Sequence, residues 1–449
     1  MNNADFTRGK IVLPLVRFVF PILFAMLIQS LYGAADLLVV GRFSDAAGVS
    51  AVSVGSQVMM SVTMVVAQLS AGSAILLGQA VGSGKKGNCG PIVGATVFFF
   101  TLLGLVLSVL MQPLARPMTA ALNAPAEATA QTVAYIRICG AGAVFIVAYN
   151  LLGSIFRGIG DAKMPLVAVL IAAVFNVFGD LFFVAGLGMG AAGAAVATVL
   201  AQAFSVILSL LIIRRRGLPF DFTPAHVAPS RRILLRILRL GLPLALQDLL
   251  VSLSFLIILA IVNRLGVVAS AGTGVAEKLC GFIMLLPSAF SQAMSSFVAQ
   301  NYGAGRMDRA EKALRCGIGI SFACSLVLGY AAFFHGAALS SLFSKDPAIC
   351  HASAAYLKAY GIDCLLTSFL FCLIGFLSGC SRTRFVMLQG IAGAFGVRVP
   401  LSLLFSRMQP VSLFRIGLAT PCSSAVQILL CLVCLLHIRR QLAAQASNP

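Results

Sequence analysis

Twelve long apolar runs, parted by short turns of glycine, proline and charge, leave this chain few folds to choose from. They fall at about 11–38, 50–79, 92–112, 131–154, 163–185, 191–213, 238–262, 272–300, 314–336, 352–378, 385–406 and 414–438. A helix needs about 20 apolar residues to cross a bilayer's hydrocarbon core. Inside hydrocarbon, only a helix or a closed barrel satisfies its own backbone hydrogen bonds, and runs of this length are helical. Composition agrees: 60% of the residues are hydrophobic and 10% charged, against roughly 45–50% and 25% in soluble domains. An all-α membrane protein of twelve transmembrane helices is expected.

The net charge of +19 would suit a nucleic-acid partner if it formed a patch, but the cations lie in short loops. Arg8, Lys10, Arg17, Lys85, Lys86, Arg157, Lys163, the groups from Arg214 to Arg239 and from Arg306 to Arg315, Arg382, Arg384, Arg439 and Arg440 fall on one face. It is the face reached by the N-terminus and the even-numbered connections. Cytoplasmic loops retain Lys and Arg, so both termini are expected in the cytoplasm, the protein in the plasma (inner) membrane, and no nucleic acid bound. After Met1–Lys10 the apolar run is too long for a signal peptide and lacks a small-residue cleavage pattern, so no cleavable signal is expected. Most of the 12 cysteines lie within apolar runs; Cys431 and Cys434 have CxxC spacing without ligands nearby and read as small buried hydrophobes.

The chain repeats itself. Arg17-Phe-Val-Phe-Pro21 returns as Arg239-Leu-Gly-Leu-Pro243, and Val40-Gly-Arg42 as Val262-Asn-Arg264. Gln79-Ala-Val-Gly-Ser-Gly-Lys85 returns as Gln300-Asn-Tyr-Gly-Ala-Gly-Arg306, and Ile171-Ala-Ala-Val-Phe-Asn-Val177 as Ile391-Ala-Gly-Ala-Phe-Gly-Val397. The offset stays at about 220–222 residues. Six spans per half make the halves parallel repeats, an architecture that places a substrate site at the midplane and works by alternating access. The expected division is a six-helix lobe over 1–213, a basic linker over 214–237, a second six-helix lobe over 238–440 and a tail over 441–449. The linker, with Pro219, Pro224 and Pro229, reads as a surface connector on anionic membrane lipids.

Charges at membrane depth are costly and mark function by default. Asp36 closes the first apolar run; it either lies in a site or snorkels out to pair with Arg42. In the fifth run Asn176 and Asp180 are four residues apart and share a helical face. Their oxygens can hold a proton or Na+, or they serve as interhelical hydrogen-bonding glue. The equivalents in the second half are Gly396 and Pro400, so the cluster belongs to one half. Gln29, Tyr32, Tyr135, Asn150 and Thr198 are further oxygen donors within reach of neighbouring spans. Asp248 either faces a cavity or caps a bend after Pro243. Glu277 and Lys278 point to different faces. Asp363 is expected near the outer surface, and Arg398 to pair with a carboxylate or carbonyls. Gly82-Ser-Gly84-Lys85 lacks the remaining positions of a phosphate loop and reads as a tight turn.

The repeat motifs and the Asp36, Asn176 and Asp180 set resemble the multidrug and toxic compound extrusion (MATE) family of cation-coupled antiporters, over roughly Lys10 to Arg440. The likeness rests on Asp36-Leu-Leu-Val-Val-Gly-Arg42, Arg157-Gly-Ile-Gly-Asp-Ala-Lys-Met-Pro165, Ala276-Glu-Lys-Leu279 and Gln300-Asn-Tyr-Gly-Ala-Gly-Arg306. It implies two pseudo-symmetric six-helix lobes and exchange of organic, often cationic compounds for H+ or Na+. It also implies a cation site in the first lobe at Asp36, Asn176 and Asp180, a metal site only if the ion is Na+, and a helix bend at Pro21. Acids used by one branch in the seventh and tenth spans are replaced here by Val251 and Thr367, with Asp248 and Asp363 a turn away. Glu277 is a further candidate contact for cation or substrate. No cofactor is expected beyond the coupling ion, the partners are small organic molecules, and a monomer is compatible with the sequence. The alternative is a flippase or exporter of lipid-linked precursors or metabolites from the same superfamily, which calls for a strongly basic cavity. A major-facilitator carrier would need Gly-x-x-x-Asp-Arg after its second span, and an enzyme would need clustered nucleophiles or metal ligands; the sequence has neither.

Overall fold

A computed structural model describes residues 6–447, without the side chains of Lys86 and of 442–447. Among the described residues eleven helices are long and apolar enough to cross a membrane, and a bent pair, counted as one span, brings them to twelve. They are α1 Val12–Phe43, α2 Ala46–Gly82, α3 Cys89–Ala121, α4 (the pair Ala126–Ala141 and Ala143–Gly158), α5 Lys163–Gly186, α6 Gly190–Arg216, α7 Arg231–Asn263, α8 Val267–Gly303, α9 Met307–Phe334, α10 Pro347–Gly379, α11 Thr383–Arg407 and α12 Leu413–Gln441. The last helix continues to Ser447, so most of the expected tail is helical; 448–449 lie outside the described residues.

Helices overrun the apolar runs at their polar ends, where capping and backbone hydrogen bonding continue past the hydrocarbon. Asp45 caps α2 by accepting from the Gly48 amide at 2.7 Å, and Asp346 caps α10 by accepting from the Ala348 amide at 2.8 Å. Each cap satisfies an amide that the first helical turn leaves without a partner. The turns repeat with the sequence: Gly84 and Gly305 both take left-handed φ, 71° and 69°, as do Gly160 and Ser381, 85° and 61°.

The chain divides into two compact units, and the cuts fall inside helices. One unit is Phe20–Ala245; the other joins Thr7–Val19 to the chain from Leu246 onward. Pro21 of α1 and Pro243 of α7, equivalent in the repeat, lie within two residues of these cuts. In the first unit, Gly72 of α2 meets Gly241 of α7 so closely that a Cβ on Gly72 would lie 2.6 Å from the Gly241 amide nitrogen. In the second unit, Leu15 of α1 is fully buried, next to Gly317 of α9.

The halves are not copies. Helix α4 bends by 54° at Gly142, where the missing Cβ admits the Val199 side chain of α6. Its counterpart α10 is one continuous helix of 33 residues. The connector is shorter than expected, 217–230, because α7 begins at Arg231. It is also held by protein: Gly90 and Gly94 of α3 leave room for the Asp221 and His226 backbone.

Candidate functional site

The first unit gathers the expected polar residues around Asp36. Asp36 is 6% exposed, Asn176 1% and Asp180 0%, and Asp36 and Asp180 lie close enough to interact. Thr198 of α6 joins them. Its hydroxyl accepts from Asn176 Nδ2 at 3.4 Å and shares its one hydrogen between the Ala194 carbonyl at 3.0 Å and Asp36 Oδ2 at 3.5 Å.

What the cluster lacks matters more. Among the described residues, Asp36 Oδ1, Asn176 Oδ1 and both oxygens of Asp180 are buried without a hydrogen-bond partner. The snorkelling alternative fails: Asp36 is buried and makes no ion pair with Arg42 among the described residues. Buried polar groups in folded proteins are nearly always partnered. Four acceptor oxygens on three neighbouring residues are thus left without a donor.

Local backbone explains the convergence. Tyr32 and Asp36 are one turn apart on α1, as are Asn176 and Asp180 on α5. Directly after Asp180, α5 widens into a π-turn at Leu181–Gly186, a distortion frequent at functional sites. Gly179 lets α5 close on α6; a Cβ there would stand 2.9 Å from Ala197 Cβ. Tyr135 of α4 is buried beside the two acids, its ring occupying the space left by Gly55 of α2.

The other expected contacts divide. Tyr32 lies next to Asp36 and Gln29. Asn150 turns back to its own helix, donating one of its two Nδ2 hydrogens to the Ile146 carbonyl at 2.8 Å. Asp248 and Glu277 belong to the second unit and are half-buried. Two polar residues were not anticipated: Gln202, one turn after Thr198 and beside Tyr32, with Oε1 unpartnered, and Tyr149, whose buried hydroxyl is unpartnered. The spacing of Thr198 and Gln202 on one face of a small-residue helix was the available signal for the first.

The second unit holds a different cluster. Asp363, expected near solvent, is 2% exposed and accepts from Ser424 Oγ at 2.6 Å. Arg398, 5% exposed, stacks 4.3 Å from the centre of the Phe255 ring and donates to Ser254 Oγ at 3.2 Å. Its charge is felt by Asp363 without direct pairing, and its Nε is buried and unpartnered. The expected carboxylate or carbonyl partner is thus a hydroxyl and a ring. No group of three or more His, Cys, Asp or Glu side chains suited to a metal occurs among the described residues.

Twelve apolar helices in a duplicated series, with a buried acidic cluster in the first half, define a polytopic membrane transporter rather than an enzyme. The MatE family model matches residues 21–182 and 243–404, one copy in each half. The chain belongs to this family, that of the MATE transporters. It is 26% identical over 429 residues to the probable multidrug resistance protein YoeA of Bacillus subtilis (strain 168), covering 92% of this chain and 91% of the relative. It is 21% identical over 392 residues to the multidrug export protein MepA of Staphylococcus aureus (strain bovine RF122 / ET3-1), covering 86% of each. Among solved structures, an outward-facing multidrug resistance MATE transporter of the MOP superfamily superposes with a TM-score of 0.91 at 23% identity, covering 99% of this chain and 98% of the other.

Proposed function

We propose that the protein is a secondary antiporter that exports organic, cationic compounds in exchange for H+ or Na+, with Asp36, Asn176 and Asp180 as the coupling site. It works by alternating access from the plasma membrane, with both termini in the cytoplasm. The observation that carries the reading is the set of four buried, unpartnered oxygens on these three residues. Export of organic compounds is supported by the likeness to a probable multidrug resistance protein and a multidrug export protein.

The chemistry follows from the cluster. Two carboxylates desolvated together repel one another, and a proton or Na+ between them relieves that repulsion. Loading and unloading changes the charge held between α1 and α5, and so the packing of both helices. A ligand shifts a two-state equilibrium only by its differential affinity for the states, and these acids supply that difference. Tyr32, Tyr135, Thr198, Gln29 and Gln202 are the polar groups that orient the ion. The flippase reading has weaker support, because the buried cluster of the first unit is acidic.

The test is dye efflux in everted vesicles under separately imposed pH and Na+ gradients. Asp36→Asn and Asp180→Asn are each expected to lower gradient-driven transport at least tenfold while the protein stays in the membrane. Full transport by either variant refutes the coupling role. Transport driven by neither gradient in the wild type refutes the antiporter reading.

A further inference from the structure

The second unit carries a basic recess that the transport reading does not use. It lies between residues 9–16, where the chain enters α1, and the first turns of α9, and encloses about 720 Å³. Four cations line it, Lys10, Arg306, Arg309 and Lys312, against one carboxylate, Asp308. Two of the cations are committed to the backbone. Arg309 donates to the Gly9 carbonyl at 2.8 Å and the Arg8 carbonyl at 3.1 Å, and Arg306 gives one N–H to the Thr7 carbonyl at 3.2 Å. Lys10 and Lys312 are exposed and make no hydrogen bond or ion pair among the described residues. Their ammonium groups and the rest of the Arg306 fork therefore remain available as donors.

The wall beside these cations is apolar. Val12 is 49% and Leu13 48% exposed, and both line the recess with Val16. Depth in the membrane explains the pairing. Helix α1 has 32 residues, about 48 Å at 1.5 Å per residue, against about 30 Å of hydrocarbon. It therefore overruns the hydrocarbon, and the charges of Arg8, Lys10 and Arg17 set its first turns at the level of the headgroups, where basic pockets on membrane helices take anionic lipids. A soluble anion would have no use for the valine and leucine wall.

We propose that this recess binds an anionic phospholipid, its phosphate held by Lys10, Arg306 and Lys312 and its acyl chains lying along Val12, Leu13 and Val16. The two sides of the recess are the N-terminal segment and α9. A bound lipid therefore ties them together, adding to the clips made by Arg309, and holds the part of α1 before Pro21 in the second unit.

The test uses the full-length protein, stripped of lipid in detergent, with unfolding followed by a thiol-reactive dye. Dioleoylphosphatidylglycerol, dioleoylphosphatidylcholine and inorganic phosphate are added separately. Phosphatidylglycerol is expected to raise the unfolding temperature, and phosphatidylcholine and phosphate to leave it nearly unchanged. Lys10→Gln/Lys312→Gln is expected to lose at least half of that rise and to retain fewer phosphatidylglycerol molecules per protein in native mass spectrometry. Lys312→Gln alone provides a milder variant, and neither change breaks a contact in the described structure. Equal shifts from both lipids, or an undiminished shift in the variants, overturn the proposal. A full shift with inorganic phosphate alone overturns it in favour of a free-anion site. Arg309 is left intact because its guanidinium holds the backbone.

Discussion

Gly55→Ala tests whether the space beneath Tyr135 is part of the site's construction. A Cβ at position 55 would overlap Cδ1 of the Tyr135 ring and lie 2.9 Å from its Cγ. The phenol is buried, so it cannot swing into solvent, and either the ring or α2 must move. Overpacking of this kind costs about 1–3 kcal/mol. Truncating the ring, Tyr135→Ala, costs about 3–5 kcal/mol by the usual cavity argument, but it also removes the atoms that the new methyl would strike. The two changes should therefore couple: Gly55→Ala destabilises the wild type by about 1–3 kcal/mol and the Tyr135→Ala protein by almost nothing. Eight of the 12 cysteines are buried, so dye labelling of thiols on heating reports global unfolding of all four proteins in one format. Because Tyr135 lies beside Asp36 and Asp180, Gly55→Ala should also slow dye efflux. Equal losses of unfolding temperature in both backgrounds would show that Gly55 and Tyr135 do not meet, and the reasoning would fail.

Two further outcomes are expected. Thr198→Val removes a hydroxyl that makes long hydrogen bonds to Asp36 and Asn176; at about 0.5–1.5 kcal/mol it should change apparent affinity for the coupling ion about two- to tenfold in vesicle transport, tightening it if the ion is H+ because the lost bond favoured the ionised carboxylate, with the maximal rate kept. Arg398→Gln removes the charge that faces Asp363 and should destabilise the protein by about 1–3 kcal/mol, with Asp363→Asn restoring most of the loss in the double variant; a double variant no more stable than Arg398→Gln alone would separate the two residues.

The sequence announced most of the frame and part of the site, for physical reasons that can be named. Spans and repeat were legible because hydrocarbon tolerates so few polar residues that their absence, and the constant spacing of the turns, stand out. Asp36 and the Asn176–Asp180 pair were legible for the converse reason, being polar where an apolar run required none. Asp363 was misplaced because its burial depends on which helices touch: it lies four turns inside α10, which begins at Pro347, and packs against Ser424 of α12. Other features depend on which helices touch. The void at Gly55 for Tyr135, the turning of Asn150 onto the Ile146 carbonyl, and the seating of the connector against Gly90 and Gly94 leave no periodic trace in the chain.

The two halves start from one helical frame and treat charge differently. In the first unit, Asn176 and Asp180 stand where the second has Gly396 and Pro400, and no Lys or Arg pairs with Asp36 or Asp180 among the described residues. In the second, Arg398 occupies the place of Phe178, and Asp363 that of Gly142, the residue at which α4 bends. Asp363 thus arrives together with a nearby cation and the Ser424 hydroxyl. A buried carboxylate already answered by a guanidinium gains little from an incoming ion, since its desolvation is partly offset in place. Two carboxylates without a protein cation remain unbalanced until a proton or Na+ joins them. On the proposed reading, an ion gradient acts on the half whose two neighbouring acids have no Lys or Arg paired with them among the described residues.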